Sequence, residues 1–174
     1  MMYTSCIEVP FASRSRQSTE GIGVLVGSCL LEVLGSGARS SAIVALVGPL
    51  GAGKTVLTGG IAMSLGISRS AVASPTFVLE RNYRGRQPMR HLDLYRIDSP
   101  VQLTELGFEE ELERPGLTVI EWAERAGDLL ELYERIEVGF EVLGDDTRRI
   151  TVRDFYQPSV IAGCFGVGTA VSAY

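Results

Sequence analysis

One segment of this sequence is built for phosphate chemistry. Gly48-Pro49-Leu50-Gly51-Ala52-Gly53-Lys54-Thr55 fits the pattern G-x-x-x-x-G-K-[ST]. Glycines without Cβ atoms let successive backbone N–H groups curl inward and face an anion. A helix that starts at Lys54 would point its positive end at the same place. Lys54 can reach the β- and γ-phosphates of a nucleotide as a mobile point charge. The Thr55 hydroxyl can ligate Mg2+, a hard cation that prefers oxygen.

Hydrolysis on such a loop also needs a carboxylate at the end of a neighbouring strand. Two residues qualify. Glu121 follows the apolar run Leu117–Ile120, where a buried strand leaves the core, and Asp93 lies in His91-Leu92-Asp93-Leu94-Tyr95-Arg96. Ligands collect at the carboxyl ends of strands in an open parallel sheet, which favours Glu121 as the metal partner. The alternative for Asp93 is an ion pair with Arg90 or Arg96, and for Glu121 an ordinary surface acid. Thr76, after Pro75, can sense a γ-phosphate as switch loops do, or simply serve a turn. His91 is the only histidine. On a strand it reads as a satisfied structural group more readily than as a base. Trp122 can stack on a base or partner, or fill the core. The N-K-x-D string by which GTPases read guanine is absent from the sequence, which points to ATP.

Positioning these groups requires alternating strands and helices. The apolar spacing predicts a helix over Thr19–Leu34, ended by Gly35-Ser36-Gly37. Ala42–Val47 reads as a strand buried on both faces. Lys54 to Leu65 follows as a helix with Gly66 as its cap. Strands are expected at Phe77–Arg81, Met89–Ile97 and Leu117–Ile120. Ser99-Pro100 opens a helix with Gln102 placed for a capping box, carrying on through Leu112 until Pro115-Gly116. A short helix is expected over Ala126–Tyr133. Ile136–Val142 and Arg148–Val152 flank a Gly144-Asp145-Asp146 turn as a hairpin. No element is assigned beyond Asp154. The expected fold is α/β: a P-loop NTPase three-layer sandwich with a mostly parallel central sheet and an antiparallel hairpin at one edge. Residues 1–154 would form a single P-loop domain, and residues 155–174 a C-terminal tail.

Bulk properties narrow the classes. A length of 174 residues suits one domain, and 45% hydrophobic residues suffice for a core. A net charge of −5 disfavours direct binding to phosphate backbones. Cys6, Cys29 and Cys164 form no metal or disulfide pattern and read as reduced thiols of a cytosolic protein. No apolar signal segment precedes Gln17, and Val160–Tyr174 is too short and Gly-rich to span a bilayer.

The strings GPLGAGKT at Gly48–Thr55, Ser74-Pro75-Thr76-Phe77, His91-Leu92-Asp93-Leu94-Tyr95-Arg96 and Ile120-Glu121-Trp122, in this order, resemble the bacterial TsaE (YjeE) family. The likeness covers about Thr19 to Val152. It implies a small cytoplasmic ATPase that works with TsaB-like and TsaD-like proteins to install threonylcarbamoyl on the adenosine beside the tRNA anticodon. The tRNA would be reached only through partners, and no membrane is involved. By the same resemblance Gly51 to Thr55 hold the phosphates within the nucleotide-binding segment Gly48–Thr55, Thr55 and Glu121 hold Mg2+, and Lys54, Glu121 and Asp93 serve catalysis. Thr76 and Asp93 would couple nucleotide state to partner contact. Thr19 takes the place of a family threonine near the nucleotide, and Arg148 or Arg149 approaches the base from the hairpin. The family often has Asp where Pro49 stands, so this loop offers one N–H donor fewer. The competing readings are a small-molecule kinase, with Arg81, Arg84, Arg86 and Arg90 as lid, and a nucleotide-gated binding module without turnover.

Overall fold

The computed structural model of the chain describes residues 5–165 together with Ser172–Ala173. Strands β1 (Ser5–Ser13), β2 (Ser41–Val47), β3 (Glu80–Arg84), β4 (Pro88–Asp93), β5 (Gly116–Glu121), β6 (Ile136–Val142), β7 (Arg148–Asp154) and β8 (Ser172–Ala173) form one sheet in the order β3-β4-β5-β2-β6-β7-β1-β8. The centre, β4-β5-β2-β6, is parallel. The β6–β7 hairpin stands where its turn signal lies, and β1 pairs antiparallel with β7 outside it. The other edge strand, β3, is also antiparallel to its neighbour.

Strand β2 shows why two helical layers are needed. Its side chains alternate between faces. Ala42, Val44 and Leu46 belong to a core shared with helices α1 (Arg16–Gly35) and α2 (Lys54–Ser64). Ile43 and Ala45 belong to a second core. Helices α3 (Pro100–Glu105) and α4 (Phe108–Glu113) and a 3-10 stretch, Ala123–Leu132, cover that face. The result is a three-layer sandwich with β2 at its centre.

Helix α1 is the one helix among the described residues that is long and apolar enough to cross a membrane by length and composition. Half of it is buried inside the protein, and it lies along α2 at very short range. A Cβ added at Gly60 would stand 2.1 Å from the Glu20 carbonyl oxygen, and one at Gly23 2.2 Å from that of Leu57. The small residues therefore set the spacing of the pair.

Several elements differ from the sequence expectation. The strand expected at Phe77–Arg81 begins at Glu80 instead, because Val78 and Leu79 donate back to the Pro75 carbonyl in a turn and Leu79 takes φ 67°. The helix after Pro100 breaks at Gly107, which adopts φ 71°. Gln102 closes no capping box: its side-chain oxygen accepts from Asp98 N–H at 3.2 Å. The strand begun at Met89 stops at Asp93, and the Ala126–Tyr133 helix is a 3-10 stretch kinked at Gly127. Strand β1 was not expected at all.

The segment after Asp154 is ordered into the fold as far as Phe165. Tyr156 is buried and its hydroxyl accepts from Ile43 N–H at 2.8 Å. The Asp154 carboxylate accepts from Tyr156 N–H, Ser159 Oγ and Ile161 N–H, which starts helix α5 (Ile161–Phe165). Phe165 meets Phe11 of β1 edge-on, with ring centroids 5.7 Å apart.

Candidate functional site

Strand β2 ends at Val47, and the chain turns through Gly48–Gly53 into α2. Positive φ angles favour glycine at Gly48, Gly51 and Gly53. Gly48 has φ 147°, and a Cβ on it would lie 2.8 Å from that of Phe140; Gly53 has φ 109° as the residue that caps α2. No side chain caps the first turn of α2. Its leading amides therefore face the cleft, an anion-binding arrangement.

Lys54 is buried, and its ammonium donates to the carbonyls of Gly48 at 2.6 Å and Pro49 at 2.9 Å. It also sits 3.7 Å from the centroid of the Trp122 ring, a cation–π contact. Burial pushes its pKa below the ordinary lysine value, against the opposing pull of Glu121, Glu124 and Asp93.

The carboxylates come from neighbouring strand ends. Asp93 and Glu121 are register partners at the last positions of β4 and β5. Glu121 is buried; one oxygen accepts from the Thr55 hydroxyl at 3.0 Å and the other lies 2.8 Å from His91 Nε2. His91 is fully buried, so its contact holds the carboxylate from beneath. Asp93 pairs with neither Arg90 nor Arg96. It accepts from Ser74 Oγ at 2.8 Å, from the Thr76 hydroxyl, and from Tyr95 N–H at 2.9 Å. Arg90 instead serves the carbonyls of Arg114 and Pro115 and the Thr118 hydroxyl.

These groups line one cleft of about 340 Å³, floored by Gly51–Thr55 and walled by Ser74, Thr76, Asp93, Glu121 and Trp122. Leu50 stands at its rim, 76% exposed, and Pro49 is exposed beside it. Thr19 is buried next to the loop. Its hydroxyl lies 2.8 Å from Ser13 Oγ, and its methyl is 3.6 Å from the Cβ position of Gly53. Arg148 is not in this cleft: it donates to the Asp145 carbonyl and lines a separate hollow with Pro10 and Leu143. Arg149 comes nearer. It is paired with Glu141 and shares a hollow of about 200 Å³ with Gly48 and Phe140.

Two contributors were not singled out from sequence. Ser74 joins Thr76 on the same Asp93 oxygen; its signal was its place two residues before Thr76. The backing of Glu121 by His91 could be found only once β4 and β5 were known to be adjacent.

The donor set fits Mg2+. Among the described residues no cluster of three or more His, Cys, Asp or Glu forms a cage. Magnesium commonly takes only one or two protein oxygens and fills its octahedron from phosphates and water. Thr55 Oγ1 and Glu121 Oε2 supply two adjacent oxygens beside the phosphate loop.

Comparison with known proteins gives the family and the fold. The family model described as threonylcarbamoyl adenosine biosynthesis protein TsaE matches residues 17–150. The tRNA threonylcarbamoyladenosine biosynthesis protein TsaE of Treponema pallidum is 39% identical over 140 residues, covering 80% of this chain and 96% of that protein. The Bacillus subtilis protein of the same name is 38% identical over 115 residues, 66% of this chain and 70% of that one. The crystal structure of Bacillus subtilis YdiB superposes with a TM-score of 0.71 at 25% identity, covering 92% of this chain and 96% of that chain. A P-loop NTPase fold, a glycine loop whose Thr55 meets the strand-end carboxylate of Glu121, and a family match across most of the sequence converge: the chain belongs to the TsaE family of threonylcarbamoyl adenosine biosynthesis proteins.

Proposed function

We propose that this protein binds ATP with Mg2+ in the Gly48–Thr55 cleft and hydrolyses it in support of a TsaB-like and TsaD-like pair. That pair would place threonylcarbamoyl on the adenosine next to the tRNA anticodon, with tRNA reached through the partners. The cytoplasm is the expected compartment. The family membership supports the pathway. The observation that carries the ATPase reading is the Thr55–Glu121–His91 chain at the mouth of a glycine-shaped loop.

In this reading the amides of Gly51–Thr55 cradle the phosphates, and Lys54 exchanges its carbonyl partners for phosphate oxygens. Thr55 and Glu121 would hold Mg2+, which neutralises charge on the β- and γ-phosphate oxygens when bound. Asp93 holds Ser74 and Thr76 at the γ-phosphate side, so their hydroxyls can register whether that group is present. Trp122 walls the cleft, and the Tyr95 ring packs beside it with centroids 4.9 Å apart.

The test is inorganic phosphate release from Mg-ATP without any acceptor, alone and with TsaB-like and TsaD-like proteins. An ATPase releases phosphate, faster with partners. Glu121→Ala should lose release while retaining ATP binding. No release under any condition would refute the hydrolytic reading.

A further inference from the structure

A buried acid on α1 lies outside the phosphate site yet touches the segment that leads into it. Glu20 side-chain atoms are 11% exposed. Its backbone is pinned where the two helices cross, because Gly60 packs directly on the Glu20 carbonyl. Its carboxylate oxygen Oε1 meets two guanidiniums: Arg69 Nε in close contact and Arg16 Nε at 3.5 Å. These are ionic contacts rather than aligned hydrogen bonds.

Arg69 opens the 3-10 turn Arg69–Ala71 that follows α2. To reach Glu20 its stem crosses α2 over Gly59, with Cγ 3.7 Å from the Cβ position there. Arg16, Glu20, Gly59 and Arg69 line a hollow of about 210 Å³ that also includes Thr55. Five residues beyond Arg69 the chain reaches Ser74, whose hydroxyl holds Asp93. The stretch between is also held by Val72 N–H donating to the Arg69 carbonyl at 3.1 Å, by Val72 packed against the core, and by the Tyr83 hydroxyl, which meets the Ala73 N–H at 3.5 Å and its carbonyl at 3.4 Å.

We propose that Glu20 and Arg69 form a strap across α2 that positions the Ser74–Thr76 segment against Asp93. They act as positioning residues, not catalytic ones. An exposed ion pair would contribute little, but this one has a nearly buried acid at its base and the connection toward Ser74 at its other end. The strap ties α1, which carries Thr19 beside Gly53, to the loop on the far side of the phosphate site. It rests on the hydrolytic reading for its kinetic consequence, though not for its structural one.

The experiment compares the parent with Arg69→Met, Arg69→Lys and Glu20→Gln. kcat and KM for Mg-ATP are measured by phosphate release, and backbone amide exchange is followed over residues 69–76. Arg69→Met and Glu20→Gln should lower kcat by about tenfold or more, as misplacement near reacting groups does, with KM changed less than about twofold. Amide exchange at Ala73–Thr76 should rise, and Arg69→Lys should recover most of both effects. Unchanged kcat with only a lowered Tm would reduce the pair to a structural staple and overturn the proposal. A raised KM at constant kcat would overturn it in favour of an anion contact. Where the parent releases no phosphate, the ATPase reading fails by itself; the strap is then judged on exchange, and unaltered protection at residues 73–76 in Arg69→Met refutes it.

Discussion

The close approach of α1 and α2 gives a sharp structural prediction. Replacing Gly60 with alanine puts a carbon 2.1 Å from the Glu20 carbonyl oxygen, where ordinary C···O contacts stand at roughly 3.3–3.6 Å. Both partners are backbone, so no rotamer change relieves the clash, and α1 and α2 must separate by about 1 Å. Overpacking of this kind costs about 1–3 kcal/mol, and the upper end applies because two rigid helices move together. Alanine recovers up to about 1 kcal/mol of helix propensity. The net loss should be about 2 kcal/mol, a fall in Tm of roughly 4–8 °C for a chain of this size. Gly21 on α1 is the internal control, since a Cβ there meets nothing within 4 Å. Gly21→Ala should stabilise by up to about 1 kcal/mol. Thermal and urea unfolding of both variants read the difference. Equal effects of the two substitutions, or a Gly60→Ala protein as stable as the parent, would refute the account of how α1 is held beside the phosphate loop.

His91→Phe should leave a buried Glu121 oxygen unpartnered and lower Mg-dependent turnover by about 10–100-fold, the usual scale for groups that orient a metal ligand; parent-like phosphate release would count against that role. Tyr156→Phe removes the acceptor of the buried Ile43 N–H and should cost about 1–3 kcal/mol in urea unfolding, which an independent tail beyond Asp154 would not. Lys54 is the only lysine, so amine-reactive labelling reports on one side chain plus the chain's N-terminus. Burial lowers its pKa in the folded protein. As pH rises the ammonium is therefore lost below the ordinary lysine range, and stability increases between the lowered value and about 10.4. Nucleotide affinity should fall over the same alkaline window while labelling of Lys54 accelerates, and Mg-ATP should protect it. Affinity that holds constant through that window would contradict a charged Lys54 in the site.

The parts of the site legible in the sequence were those fixed by local chemistry. Gly48–Thr55 had to be a loop between a buried strand and a helix, because the glycines and the apolar runs on either side permit little else. Glu121 followed from its position at the end of a buried strand. What could not be read locally depended on which strands are neighbours. The pairing of β4 with β5 brings His91 and Asp93 beside Glu121, and no spacing along the chain encodes it. Strand β1 does carry a period-2 pattern, Ile7, Val9 and Phe11 alternating with exposed Glu8, Pro10 and Ala12, but a proline within such a run demotes it to an edge strand or to none, and only the edge that β7 offers shows where it docks. The Phe77–Arg81 expectation failed for a related reason. Asp93 draws Ser74 and Thr76 into a turn, and that tertiary demand overrides the β-propensity of Phe77 and Val78. Arg148 was a neighbour of the right hairpin, but the alternation of β7 turns Arg149 toward Gly48 instead.

The central claim is that the Gly48–Thr55 loop with Lys54 receives a triphosphate. Trp122 is the only tryptophan, and the Lys54 ammonium rests on its ring. Its fluorescence should change saturably as ATP with Mg2+ draws Lys54 away, and the change should vanish in Lys54→Met. A flat titration of the parent, or the same saturable response in Lys54→Met, would contradict the claim.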